Sequence, residues 1–132
     1  MLTSAMLAFG VMALGALALG ALAMGCAPRI GDGCAASTNC SVNGDRLCDT
    51  TQPGGYCTVF DCTADACPDD GVCVRFQPIP TRLARNVCMR RCTEDGNCRV
   101  GQGYHCVGAA DVDFVAIVDV GRPLGRFCVA PQ

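Results

Sequence analysis

The chain contains no tryptophan and no lysine, a single histidine, and among 132 residues only two tyrosines and five phenylalanines. With so few large side chains the core of any folded body is thin, and burial alone cannot hold it. No two of the thirteen cysteines are separated by only two residues, which excludes thioredoxin-type redox pairs, zinc knuckles and covalent haem attachment. A lone His105 and the absence of any Gly-x-Ser-x-Gly leave no material for a serine or cysteine triad. The acidic stretches around Asp65, Asp69 and Asp70 and at Glu94-Asp95 lack the alternating oxygen ligands of an EF-hand loop. The expectation is a non-enzymatic chain with no catalytic residue, no metal and no cofactor. A net charge of −2 gives no footing for nucleic acid as a partner.

Charge is also missing from the N-terminus. The first charged residue is Arg29, and residues 5–25 are Ala, Leu, Met, Val, Phe and Gly only, a run that at helical rise approaches the thickness of a bilayer core. It reads as a signal peptide over residues 1–25 and is set aside from the fold. The segment Leu22-Ala23-Met24-Gly25-Cys26 resembles the lipobox of bacterial lipoproteins, in which a small residue precedes a cysteine that is diacylated and becomes the new N-terminus. Ala23 stands where that family usually has Leu. The resemblance implies lipidation of Cys26 with palmitate-type chains, followed by a tether over 26–33. Cleavage after Ala21-Leu22-Ala23, or retention as an uncleaved anchor helix, are the alternatives. Cysteine parity separates them: acylation of Cys26 leaves twelve cysteines, whereas either alternative leaves an odd thiol in an oxidising compartment. Ala27 is not the aspartate of inner-membrane retention, so analogy favours the outer membrane, on its periplasmic or cell-surface side.

The remaining twelve cysteines divide into three sets of four. Cys34, Cys40 and Cys48 are separated by five and seven residues, as are Cys92, Cys98 and Cys106; Cys57 and Cys128 complete these sets, each preceded by an aromatic residue. Cys62, Cys67, Cys73 and Cys88 form a contracted copy with gaps of four and five. The modules span 34–57, 62–88 and 92–128, with junctions too short for flexible linkers, so they are expected to pack as one elongated body. Within each, the third and fourth cysteines bracket a β-hairpin pattern: arms 46–49 and 56–59 around Pro53-Gly54-Gly55, arms 72–77 and 86–89 around Pro78-Ile79-Pro80, and in the third a long alternating strand over 112–120. Along that strand Asp111, Asp113 and Asp119 read as the wet face. The stretches between first and second cysteines are turn formers. The expected fold is therefore small, disulfide-rich and mostly β, three tandem loop-plus-hairpin modules with little helix. Four cysteines allow three pairings per module; the expectation is first with third and second with fourth, which ties each loop to both strands.

The repeated Cys-x5-Cys-x7-Cys spacing with Pro53-Gly54-Gly55-Tyr56-Cys57, behind a lipobox, resembles the secreted cysteine-rich lipoproteins of myxobacteria. More loosely it resembles the four-cysteine repeats of the Dickkopf N-terminal and EB type. These resemblances imply an extracytoplasmic, membrane-anchored binding or structural module of the cell envelope, and carry no catalytic residue. The one concentration of like charge is Arg75, Arg82, Arg85, Arg90 and Arg91, with no acidic residue between Arg75 and Arg91. These five are the candidate binding residues for an anionic envelope component, since guanidinium pairs with phosphate and carboxylate; an envelope protein is the other candidate partner. The competing reading is a solvated protective edge strand. A second function class is a small secreted protease inhibitor presenting Arg82 on the Pro78-Ile79-Pro80-Thr81-Arg82 loop.

Overall fold

The computed structural model of the chain describes residues 27–77 and 81–131. Residues 1–26, over which the signal peptide and lipidated Cys26 are expected, the Pro78-Ile79-Pro80 tip and Gln132 lie outside the described residues.

Six disulfides, seven short strands and five single 3-10 turns make up the body, a small disulfide-rich, mostly β architecture. The cystines are 34–48 and 40–57, 62–73 and 67–88, 92–106 and 98–128. Each module thus joins its first cysteine to its third and its second to its fourth. That many cross-links require an oxidising environment for folding. No helix among the described residues is long and apolar enough to cross a membrane.

The first hairpin pairs β1 (Leu47–Asp49) with β2 (Tyr56–Thr58), Cys48 opposite Cys57. Its turn starts with Asp49 Oδ1 accepting from the Thr51 amide at 3.0 Å and closes through Gly54 and Gly55, both at φ +69°. Gly55 is obligatory twice over, because a Cβ there would also collide with the Cys34 carbonyl. In the second module β3 (Gly71–Phe76) pairs with β4 (Arg85–Arg90), Cys73 opposite Cys88.

The third module departs from expectation. Its hairpin is β5 (His105–Gly108) with β7 (Arg126–Val129), Cys106 opposite Cys128. The arm expected over 112–120 shrinks to β6 (Val115–Ile117), which leaves its own module and pairs antiparallel with β3, giving the sheet order β4-β3-β6. Two physical reasons account for this. Phe114 takes φ +59° and breaks the alternation ahead of β6, and β3 offers an otherwise unpaired edge. Asp119 is accordingly not on a wet face. It is buried, with its two carboxylate oxygens accepting from the Asp65 amide at 2.8 Å and the Cys73 amide at 3.1 Å.

The same bond explains the repeat. In the outer modules the amide of the third cysteine is capped by the side chain three residues after the first: Ser37 Oγ takes Cys48 N–H at 3.1 Å, and Asp95 Oδ1 takes Cys106 N–H at 2.8 Å. Asn39 and Asn97, each just before the second cysteine, fold the loop back by accepting from two backbone amides apiece. The contracted middle module lacks that asparagine, and its third-cysteine amide is capped by Asp119 of the third module instead.

One core runs through all three modules, with Tyr56, Val72, Val74, Tyr104 and Phe127 buried among cystines. Tyr56 links them directly: its hydroxyl accepts from Arg90 N–H at 2.8 Å and donates to the Cys128 carbonyl at 3.3 Å, and its ring lies 5.5 Å from that of Tyr104. Of the expected tether 26–33, the later part belongs to this body. Ile30 is fully buried, Gly31 N–H donates to Cys57 O, and Cys57 N–H donates to Asp32 O.

Candidate functional site: an arginine-lined cleft

The five arginines singled out by sequence do not share a face. Strand partners point to the same side of a sheet and neighbours along a strand to opposite sides. Arg75 is registered with Asn86 and donates to it at 3.0 Å, whereas Arg85 is registered with Phe76 and so projects the other way. Arg85 lies 4.1 Å from the Phe60 ring centre and pairs with Asp61 at 3.4 Å. Arg82 is exposed on a 3-10 turn, Thr81–Leu83. Arg90 and Arg91 sit at the opposite end of the hairpin, about 17 Å along β4 from Arg85 at strand rise.

At that end the structure gathers a different set. Arg90 and Arg91 meet Arg29 from the N-terminal lead-in and Arg122 and Arg126 from the third module, around an open cleft of about 650 Å³. Asp70, Thr93, Asn97 and Leu124 complete its walls. Each arginine is placed by local structure. Arg29 stands at the start of a turn closed by Asp32 N–H on Arg29 O, with Asp32 Oδ2 accepting from the Arg29 amide at 2.8 Å and Ile30 sunk in the core behind it. Arg91 follows β4 and is held by its amide on Asp70 O at 2.8 Å. Arg122 hooks the Gly71 carbonyl at 3.1 Å and Arg126 the Cys106 carbonyl at 2.7 Å.

Electrostatically the cleft has five guanidinium groups and one lining carboxylate, Asp70, one oxygen of which takes the Ile30 amide. Two more carboxylates approach from the sides: Asp32 at 3.1 Å from Arg90 and Asp69 at 3.8 Å from Arg122. Counting all three, five positive charges face three negative ones, an excess of two. Among the described residues no ion pair involves Arg29 or Arg91. Such an arrangement can hold phosphate or carboxylate. Sequence inspection missed Arg29, Arg122 and Arg126 because they are far apart along the chain; only the stitching of 29–32 to β2 and of β7 to β4 brings them together.

Elsewhere, His105 Nδ1 lies 3.6 Å from Asp95 Oδ2, both exposed. The hydrogen bond from the Cys106 amide, more than the histidine, holds the Asp95 carboxyl below its ordinary range. The close sulfur triplets, one per module, are engaged in the cystines and present no thiolate to a metal. An apolar groove of about 370 Å³ runs between Phe76, Val107, Val112, Val115 and Val129. No protein-family model, curated protein or solved structure matches this chain.

Proposed function

We propose that the chain is an exported cysteine-rich lipoprotein, anchored through acylated Cys26 and acting as a non-enzymatic binding or structural module of the cell envelope. The cysteine pairing carries this reading. All twelve cysteines from Cys34 to Cys128 are joined in pairs within their own modules, so Cys26 has no partner left in the chain. A free thiol there would be open to oxidation or chain-to-chain cross-linking, and thioether acylation removes it. The lipobox-like Gly25-Cys26 and the apolar run before it point the same way, and analogy with lipoproteins that lack an aspartate after the lipidated cysteine, where this chain has Ala27, favours the outer membrane. An anionic envelope component is the partner class that the arginine cleft favours. The inhibitor alternative draws no support from the loop carrying Arg82, which curls into a 3-10 turn where a substrate-like inhibitor needs an extended segment.

Metabolic labelling with a clickable fatty acid tests the anchor. Wild-type chain takes up label and Cys26→Ser does not. Label absent from wild type, or kept by Cys26→Ser, refutes the lipoprotein reading.

A further inference from the structure

We infer that the arginine cleft is a membrane-docking surface, in which Arg29, Arg91, Arg122 and Arg126 take the phosphates of anionic lipid headgroups while Leu124 enters the acyl boundary. The inference deepens the anchored-module reading and takes its geometry from the tether.

Three observations converge on it. The first is the point of attachment. Ile30 is fully buried, residues 29–32 are bonded to β2, and the Pro28 carbonyl accepts from Arg46 with Ala27 beside it, so the chain passes from Arg29 on the cleft toward Cys26 along the edge of the first module. Cys26 is three residues upstream, at most about 11 Å along an extended chain. The headgroup layer on each side of a bilayer is roughly 5–8 Å deep. A lipid on Cys26 therefore holds the cleft rim at Arg29 within reach of the headgroup region.

The second is Leu124. Leu124 stands on the rim of the charged cleft and is 93% exposed, as exposed as Val42 on the first module. It is held there by a β-turn, with Gly125 N–H on the Arg122 carbonyl at 3.0 Å, Pro123 at the second position and Leu124 at the third. Arg122 pins the turn by its bond to Gly71 O, and Gly125 packs where a Cβ would meet Val72 at 3.1 Å. The leucine is thus offered on a braced support between two arginines, the arrangement by which interfacial segments combine apolar insertion with attraction to anionic lipid.

The third is charge. The cleft carries an excess of two positive charges in a chain whose net charge is −2. Arg29 and Arg91 are in no ion pair among the described residues. Acidic glycans share the anionic chemistry but give Leu124 nothing to enter, which is why the membrane is the occupant favoured.

The chain has no tryptophan, so Leu124→Trp supplies a single fluorescent reporter at the rim. The full chain, exported and purified with its N-terminal modification, is mixed with vesicles of phosphatidylcholine alone or with added phosphatidylglycerol. Flotation reads the anchor; blue shift and quenching by brominated lipid read docking. We expect flotation with both vesicles, but a blue shift and quenching only with phosphatidylglycerol. The signal is lost in about 1 M salt, where the screening length is about 3 Å. Adding Arg29→Gln with Arg91→Gln lowers the docked-to-undocked ratio about thirty-fold, roughly five-fold for each arginine near an anionic surface. Arg75→Gln with Arg82→Gln leaves it unchanged, and Phe114→Trp, away from the cleft, stays unquenched. Flotation without quenching on either vesicle overturns docking and leaves the anchor standing. Quenching on phosphatidylglycerol without flotation on phosphatidylcholine keeps docking and overturns the anchor. Equal quenching on both vesicles overturns the headgroup selection. A shift saturated by polygalacturonate or inorganic phosphate without vesicles, and not by lipid, makes the site one for a soluble anion and overturns the inference.

Discussion

Replacing Tyr56 by Phe removes one oxygen from the place where the three modules meet. The ring stays, buried to 2% exposure against Tyr104, so no cavity term enters. What is lost is the hydrogen bond accepted from Arg90 N–H at 2.8 Å and the longer one donated to Cys128 O at 3.3 Å. An amide left without a partner inside a protein costs about 1–3 kcal/mol, and the longer bond adds a fraction of that; the expected loss is about 2 kcal/mol. For a domain near a hundred residues each kcal/mol moves Tm by about 4–8 °C, so Tm falls by roughly 10 °C with disulfides intact. Tyr104→Phe is the reference, since its hydroxyl donates to Pro53 O only at the partly buried margin, and it should cost less than half as much. Guanidinium chloride unfolding of both variants, with amide exchange at Arg90, makes the measurement. If Tyr56→Phe stays within about 0.5 kcal/mol of wild type, or costs no more than Tyr104→Phe, the hydroxyl is not the tie between modules that its geometry describes.

Three further outcomes follow from the same structure. Burial pushes both tyrosine hydroxyls, the only two in the chain, above the ordinary value. The native state therefore keeps protons that the unfolded chain releases near about pH 10, so this contribution to stability is complete below that pH and declines as pH rises above it; native tyrosinate absorbance should stay flat through the range where the reduced, unfolded chain titrates, and full native titration there refutes it. Asp119→Asn keeps one acceptor and turns an NH2 toward either Asp65 N–H or Cys73 N–H, costing about 1–3 kcal/mol, while exposed Asp113→Asn is near neutral; equal denaturation midpoints contradict this. Alanine pairs replacing Cys98–Cys128, thirty residues apart, and Cys62–Cys73, eleven apart, should cost about 4 and about 3 kcal/mol by loop entropy; the reverse order shows that native-state packing, not loop size, sets the cost.

Cysteine spacing made the modules, the hairpin positions and the loop-to-strand cross-links readable, because each rests on local turn chemistry and on a repeat. Gly54-Gly55 and the aromatic residue before the fourth cysteine lie where the pattern implies. What escaped is non-local. Alternation over 112–120 is a true β signal, but periodicity names no partner, and the partner proved to be β3 of another module. Asp119 looks like any exposed aspartate in a turn-rich chain, and the middle module carries Asp65 at the position of Ser37 and Asp95, so nothing in the sequence signals that Asp65 turns to the Gly121 amide and leaves the Cys73 amide to Asp119. The arginines misled for a related reason. Nearness in sequence put Arg75, Arg82 and Arg85 together with Arg90 and Arg91, whereas strand length separates them and module docking supplies Arg29, Arg122 and Arg126.

The seating of β6 on β3 also governs the order in which the protein can become complete. Synthesis runs from the N-terminus, so the middle module can oxidise while its outer edge, Val74 to Phe76, still has no strand beside it and Cys73 N–H has no carboxylate. Only when residues about forty positions later arrive do both needs end together. A fragment stopped between the second and third modules would display a bare strand edge and be prone to stick to its own copies. The three repeats are thus alike in spacing but no longer interchangeable: the middle one has handed part of its own closure to its successor, and shuffling or excising it would undo two modules at once.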